Sequence, residues 1–217
     1  MNILPLILAA IAGYLLGCIP TGIVIAKAYA STDIRKTGSG NSGTTNVLRT
    51  LGWLPSILTL AGDCVKGLIA TLLGKALGGE VGMLVGGLCA VLGHDFPVFL
   101  KFKGGKGIAT SLGVTLVVCP AAAAWLVPIV LGIVAVVRMM SVGSLAAAVL
   151  YPILHWILFA GNPNRVMYLI FSIVMALLAT YCHRSNIQRL VKGEENRLNF
   201  SKINEISKKY MLFRRKK

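Results

Sequence analysis

Charge is what this chain has least of, and nearly all of it is of one sign. Only 13% of the 217 residues are Asp, Glu, Lys or Arg, about half the roughly 25% of a soluble domain. Seven acidic residues face 22 Lys and Arg, a formal charge of +15. Hydrophobic residues supply 56% and the mean hydropathy is +0.77, which excludes a soluble globular protein and leaves an integral membrane one. In that setting the positive excess is explained by orientation and by anionic lipid or substrate, so no nucleic-acid partner is expected. The five cysteines (Cys18, Cys64, Cys89, Cys119, Cys182) stand singly, mostly within apolar runs, with no Cys-x-x-Cys or Cys/His spacing. Neither a disulfide framework nor a metal site is expected. No basic stretch precedes the first apolar run, which is long enough to span, so no cleaved signal peptide is read. Internal repeats and low-complexity segments are also missing.

What is present is a series of apolar runs. They place spans near residues 3–26, 53–74, 81–100, 108–118, 121–137, 142–160 and 165–182, an all-α bundle of seven transmembrane helices. The domain reading is a transmembrane unit over 1–197 followed by a basic tail over 198–217, whose Lys and Arg alternate with apolar residues as suits an anionic lipid surface. With the N-terminus outside, nineteen Lys and Arg fall on the cytoplasmic side, against Lys75 and Arg165 outside and Lys66 within a span. The bias of basic residues toward the cytoplasm therefore sets an outside N-terminus and a cytoplasmic C-terminus. Inside the second span, Asp63 and Lys66 stand three apart on one helical face, and a pair is favoured over direct chemistry.

The polar motifs all fall on the cytoplasmic side. Lys101 to Ser111, KFKGGKGIATS, gathers three lysines and three glycines between two apolar runs. Glycines let backbone N–H groups surround an anion, lysines add full charges, and a helix from Ile108 to Val118 would point its positive end at the same place. It is not a Walker loop, because Leu100 takes the first Gly position and Gly107 the final Ser/Thr position. A flexible basic loop fits these residues equally well when they are taken alone. Gly38 to Asn46, GSGNSGTTN, offers backbone and hydroxyl donors just before Arg49, or serves as a turn-rich linker. Ser141 and Ser144 open a later span, where a serine is more often a cap. His183 and Asn186 share one helix face at the start of the tail.

Taken together, GSGNSGTTN, then LGHDFPVFLKFKGGKGIAT (Leu92 to Thr110), then HRSNIQRLVKGEE (His183 to Glu195) resemble the bacterial acyl-phosphate:glycerol-3-phosphate acyltransferase family (PlsY-type), over roughly residues 5–197. The resemblance implies a seven-helix protein of the bacterial inner membrane with its active site on the cytoplasmic side. It implies acyl transfer from acyl phosphate to the 1-hydroxyl of sn-glycerol 3-phosphate, giving lysophosphatidic acid and phosphate. No cofactor, coenzyme A or acyl carrier protein is implied; the partners are the two substrates and a bilayer with anionic lipids. By position, Ser39, Gly40, Asn41, Gly43, Thr45 and Asn46, with Gly104, Gly105 and Gly107, would hold the donor's phosphate. Arg49, Lys106, Ser141, His183 and Asn186 would bind glycerol 3-phosphate, and Lys106, His183, Ser141 and Asn186 form the catalytic set. Ser42 and Thr44 stand where small apolar residues are common, and Cys18 where Ser is common. The His-x-x-x-x-Asp dyad of other glycerolipid acyltransferases is absent, and the adjacent His94 and Asp95 read as structural.

An acyl phosphate is already activated, so positioning and charge stabilisation are the main tasks. Two anionic substrates need a cationic pocket. Without a Ser-His-Asp set, direct attack by the glycerol hydroxyl is preferred, its proton going to the donor's phosphate. His183 as general base is the second choice. The rival from another class is a transporter for an anionic metabolite, which would show repeats meeting at the membrane midplane rather than polar motifs at one face.

Overall fold

The computed structural model describes residues 3–215, with side chains placed as far as Tyr210. The end of the expected basic tail lies outside the described residues. The described chain is helical throughout: α1 (Leu4–Gly17), α2 (Thr21–Ala30), α3 (Thr44–Leu51), α4 (Trp53–Asp95), α5 (Ile108–Val118), α6 (Pro120–Val137), α7 (Met140–Leu158), α8 (Arg165–Cys182), α9 (Arg184–Val191) and α10 (Phe200–Arg215). Among the described residues, five segments are long and apolar enough to cross a membrane: Leu4–Ala30, Trp53–Leu100, Pro120–Val137, Met140–Leu158 and Arg165–Cys182.

The first of these differs from the sequence expectation, and the second contains the two spans expected near 53–74 and 81–100. The first apolar run is broken into α1 and α2, because Pro20 supplies no N–H and disfavours helix in the residue before it. The second holds two helical arms. Gly78 and Gly79 leave helical geometry, Gly79 with φ +61°, and the chain folds back so that Gly74 lies against Gly82 and Gly86 against Ala70. The arms approach closely because none of these contacts has a large side chain between the backbones. The same device joins α1 to the returning arm, where a Cβ on Gly13 or Gly17 would overlap the carbonyls of Gly86 and Ala90. Small-residue contact is how helices associate where lipid offers no hydrophobic driving force.

Helix α5 matches the expected residues 108–118, but its 11 residues reach only about 16 Å, half of a hydrocarbon core of about 30 Å. Its register also matters. Thr110, in its first turn, lies against Gly67, nearly four turns into α4, so α5 starts on the order of 15 Å inside the bundle. Everything attached to that start is sunk with it.

The connections around residues 31–43, 96–107, 138–139 and 183–199 gather at one end. Leu198 N–H donates to the Arg138 carbonyl at 2.7 Å, and Arg49 Nη2 to the Asn196 carbonyl at 3.0 Å. At the opposite end Asn164 Nδ2 donates to Glu80 at 2.7 Å, and Arg165 lies 3.3 Å over the Trp156 ring. His155 is buried between Tyr151 and Phe159, a packing residue.

Asp63 and Lys66 form the expected ion pair at 2.8 Å, both buried. The ammonium donates also to the Ile19 carbonyl at 2.9 Å and to His94 Nδ1 at 2.8 Å, so its three N–H groups all have acceptors. The pair thus ties α4 to the α1–α2 break and to His94, near the end of its own returning arm. Asp63→Asn or Lys66→Met should each cost about 3–5 kcal/mol, the penalty for leaving one buried charge unpaired, read as a lowered thermal midpoint in detergent. The double substitution should recover part of that loss. A stable single variant would show that the pair does not hold the bundle.

Candidate active site

The gathered end forms a cavity of about 140 Å³. Its size is that of a small-molecule site. Of the residues singled out in the sequence, Ser39, Asn41, Gly43, Thr45, Asn46, Arg49, Lys106, Gly107, Ser141, His183 and Asn186 line it. Gly40, Gly104 and Gly105 do not. Thr44, Ser144, Asp63, His94, Arg189 and Glu195 also line it.

The glycine turn works differently from the expected phosphate cradle. Gly104 N–H donates to the Asp95 carbonyl at 3.1 Å and Gly105 N–H to the His94 carbonyl at 3.0 Å. These two amides satisfy the open carbonyls at the end of α4 and are not free for an anion. The His94 ring lies flush on Gly105, where any Cβ would strike Nε2. What the turn delivers instead is Gly107, in left-handed conformation (φ +65°) as the N-cap of α5, with Lys106 just before it.

Residues 37–46 are likewise knotted on themselves. Asn46 is buried; its Oδ1 accepts from Ser39 N–H at 2.8 Å, and its Nδ2 is shared among the carbonyls of Ile34, Thr37 and Asn41 at 2.8–3.0 Å. Gly40 N–H donates to the Thr37 carbonyl at 3.0 Å and Gly43 N–H to Asn41 Oδ1 at 2.8 Å. Asn46 and the amides of Ser39, Gly40 and Gly43 therefore shape the loop rather than offer donors to a ligand. The loop presents the start of α3 to the cavity, with Thr44 Oγ1 and Arg49 Nε buried and unpartnered. The starts of α3 and α5 thus line one cavity, and each brings the positive end of a helix to it.

The remaining wall is organised by Glu195. Its Oε1 accepts from Asn186 Nδ2 at 2.7 Å and Ser141 Oγ at 2.9 Å, and its Oε2 pairs with Arg189 Nε at 2.9 Å. Asn186 Oδ1 in turn accepts from Lys106 Nζ. Arg189 and Glu195 were not singled out in the sequence, although both lie inside the motif HRSNIQRLVKGEE; Glu195 stands nine residues from Asn186, too far for a helical-face argument to join them. Three cations, Arg49, Lys106 and Arg189, thus face a single carboxylate, since Asp63 is matched by Lys66. The excess charge is positive and suits an anion.

Burial sets the protonation of the site. It lowers Lys106 to about 8; Glu195 opposes this, while Arg189 and Arg49 add to it. His183 is pushed down to about 4, first by burial and then by Lys106, against the support of its bond to Ala179. His183 Nδ1 stands 2.7 Å from the Ala179 carbonyl and donates to it, so the neutral ring keeps Nε2 as an acceptor. Burial disfavours ionised Glu195, but bonds from Asn186, Ser141 and Arg189 outweigh that and hold it below the usual carboxylate range. Ser141, which donates to so weak a base, is not an activated nucleophile.

Known proteins of the same kind show the family. The model of the family described as glycerol-3-phosphate acyltransferase matches residues 7–193. The chain belongs to that family. A glycerol-3-phosphate acyltransferase of Thermoanaerobacter pseudethanolicus is 43% identical over 192 residues, 88% of this chain and 95% of that protein. Two crystal structures of PlsY (YgiH), an integral membrane glycerol 3-phosphate acyltransferase, share the fold. The glycerol 3-phosphate form superposes with a TM-score of 0.82 at 40% identity, covering 91% of this chain and 98% of that one. The lysophosphatidic acid form gives 0.79 at 38%, covering 91% and 97%. The family and the PlsY likeness inferred from the three motifs are thereby established.

The depressed Lys106 gives a pH prediction. Its charge is complete well below pH 8 and is lost as pH rises through that value, so anion affinity should fall by up to about tenfold per unit above it. Sulfate is a suitable probe, since its own charge does not change there. Titration calorimetry from pH 6 to 9.5 should show that fall in the wild type, and Lys106→Arg should remove it. A flat wild-type profile would take Lys106 out of the anion site.

Proposed function

We propose that this protein transfers a fatty acyl group from acyl phosphate to the 1-hydroxyl of sn-glycerol 3-phosphate, releasing lysophosphatidic acid and phosphate, the first acylation of phospholipid synthesis. The observation that carries this reading is the sunken cavity itself, where Arg49, Lys106, Arg189 and two helix starts converge on a space sized for a glycerol phosphate. The PlsY structures are of a glycerol 3-phosphate form and a lysophosphatidic acid form, and family membership supports the same two molecules as substrate and product of this chain. In this reading the donor's phosphate enters the cavity and its chain lies against apolar helix surface in the bilayer. No coenzyme A or acyl carrier protein enters the scheme.

The same reading makes the chain a protein of the bacterial inner membrane with seven helices in it. Two are the arms of α4, and α5 is a short one sunk among its neighbours. The N-terminus lies outside and the loop end is cytoplasmic, in keeping with the many Lys and Arg gathered there.

The chemistry follows from the site. The glycerol hydroxyl attacks the acyl carbonyl carbon, the bond between that carbon and the bridging phosphate oxygen breaks, and the leaving phosphate accepts the hydroxyl proton. Lys106 and Arg49 offset the repulsion of two phosphates and the charge that grows on the leaving group. Asn186, held by Glu195, fixes the Lys106 ammonium. His183 orients the hydroxyl through Nε2. Its depression to about 4 removes the argument that an ordinary imidazole pKa suits it as base.

Purified protein in lipid nanodiscs, given palmitoyl phosphate and glycerol 3-phosphate with no thioester, should release phosphate and lysophosphatidic acid in equal amounts. Turnover only with an acyl thioester would overturn the proposal. Arg49→Ala should raise KM for glycerol 3-phosphate by about 10- to 100-fold, the worth of a charge-assisted hydrogen bond of about 1.5–3 kcal/mol, with palmitoyl phosphate affinity nearly unchanged. The converse pattern would exchange the two phosphate sites.

His183→Gln tests the proton's route. The amide keeps an acceptor, so kcat should fall by less than about tenfold, against the 10²–10⁴ expected on losing a general base. The acidic limb of the kcat–pH profile should persist near 6, where a phosphate monoester takes its second proton. A limb that disappears with the imidazole, alongside a large loss of kcat, would make His183 the base.

A further inference from the structure

Residues 194–210 lie past the end of the family match at residue 193, yet they close the site. Glu195 lines the cavity, and the Asn196 carbonyl accepts from Arg49 Nη2 at 3.0 Å. Past the contact of Leu198 with Arg138, α10 lies over α3 and the start of α4. Leu198 and Ile203 bury against Leu48 and Val134. Phe200 stacks on Trp53 with centroids 6.3 Å apart and planes within 5°, and Asn204 Oδ1 accepts from Trp53 Nε1 at 2.9 Å. Tyr210 reaches Tyr29 at the end of α2, with ring centroids 5.9 Å apart.

Ser207 is the tightest point of this contact. Its Oγ accepts from Trp53 N–H at 3.0 Å, satisfying one open donor at the start of α4, and donates to the Ile203 carbonyl at 2.8 Å. It faces Gly52, the link between α3 and α4, whose φ of +87° is open chiefly to glycine. A Cβ built there would come within 3.0 Å of Ser207 Cα and overlap its hydroxyl.

Helix α3 depends on such contacts. At eight residues it is far below the length at which a helix persists alone in water. Val47 and Leu51 bury against α2 and the turn at residues 34–36, while Leu48 buries on the α10 side. Held between the two, α3 carries Thr44, Thr45 and Arg49 into the cavity.

We propose that α10 is a positioning element of the active site, clamping α3 so that Arg49 meets the phosphate of glycerol 3-phosphate at a fixed place. Ser207 is a positioning residue that acts through Gly52 and Trp53. The inference rests on the reading of Arg49 given above. A displacement of about 1 Å in a positioning group can cost on the order of 10²-fold, so a slackened clamp is visible in kinetics before the fold is lost.

The test is a double-mutant cycle in the full chain. Ser207→Leu, too large for the contact with Gly52, should raise KM for glycerol 3-phosphate at least tenfold, with KM for palmitoyl phosphate within twofold and kcat within threefold. Added to Arg49→Ala, it should raise that KM no further, because the residue it positions is gone. Met175→Ala, in the core between the long helices, supplies a destabilised control whose thermal midpoint falls while both KM values hold. Should Ser207→Leu fail to insert, Asn204→Ala, which removes only the bond to Trp53, should give a KM shift of two- to threefold with the same dependence on Arg49. Effects that add in full to those of Arg49→Ala, or a lowered thermal midpoint with unchanged KM as in Met175→Ala, would overturn the clamp. If Arg49→Ala itself leaves KM for glycerol 3-phosphate unmoved, the reading of Arg49 fails instead.

Discussion

The carboxylate of Glu195 accepts from Ser141 on α7 and from Asn186 and Arg189 on α9, and through Asn186 it reaches Lys106 at the start of α5. Three separate elements are thus fixed to one buried charge. Removing cations from water costs free energy unless something nearby carries the opposite sign, and among the described residues Glu195 is the anion shared by Lys106, Arg189 and Arg49. It offsets part of their charge and leaves the rest for a ligand. The reduced pKa of Lys106 comes first from its burial, and the neighbouring Arg189 and Arg49 add to it.

Depth is the second constraint. In the function proposed above, a water-soluble phosphate ester and a membrane-borne acyl donor react only where both can reach. The short α5 would make such a place by starting deep beside Gly67, which sets Lys106 and Gly107 below the ends of the longer helices. That arrangement needs backbones close enough to seal the bundle around it. Contacts of Gly67 with Thr110, Gly113 with Cys64 and Gly13 with Gly86 provide this, while the bonds of Lys66 to Asp63, Ile19 and His94 hold the polar rim beneath. The loops above are tied by hydrogen bonds of their own. Their donors are turned inward, on Asn46, Asn41 and the end of α4, leaving helix starts and a few side chains to face the cavity.

Much of this was determined by the sequence alone. Hydropathy reports transfer from water to lipid residue by residue, so the membrane class and the extents of α5, α6 and α8 were legible from composition and run length. The i, i+3 spacing of Asp63 and Lys66 settles their pairing locally, and three long motifs carried the family. The tertiary structure decided what depends on partners distant in the chain. Whether Gly104 and Gly105 offer amides to an anion depends on the carbonyls of His94 and Asp95, about ten residues back. The base strength of His183 depends on burial and on Lys106, 77 residues away. The break between the apolar runs 53–74 and 81–100 was legible as well, but the closeness of the two arms, Gly74 against Gly82 and Gly86 against Ala70, was not. The contacts of Glu195 and of α10 were beyond sequence reading for the same reason: a hydrogen bond or an apolar contact is a property of two groups, and the sequence lists them one at a time.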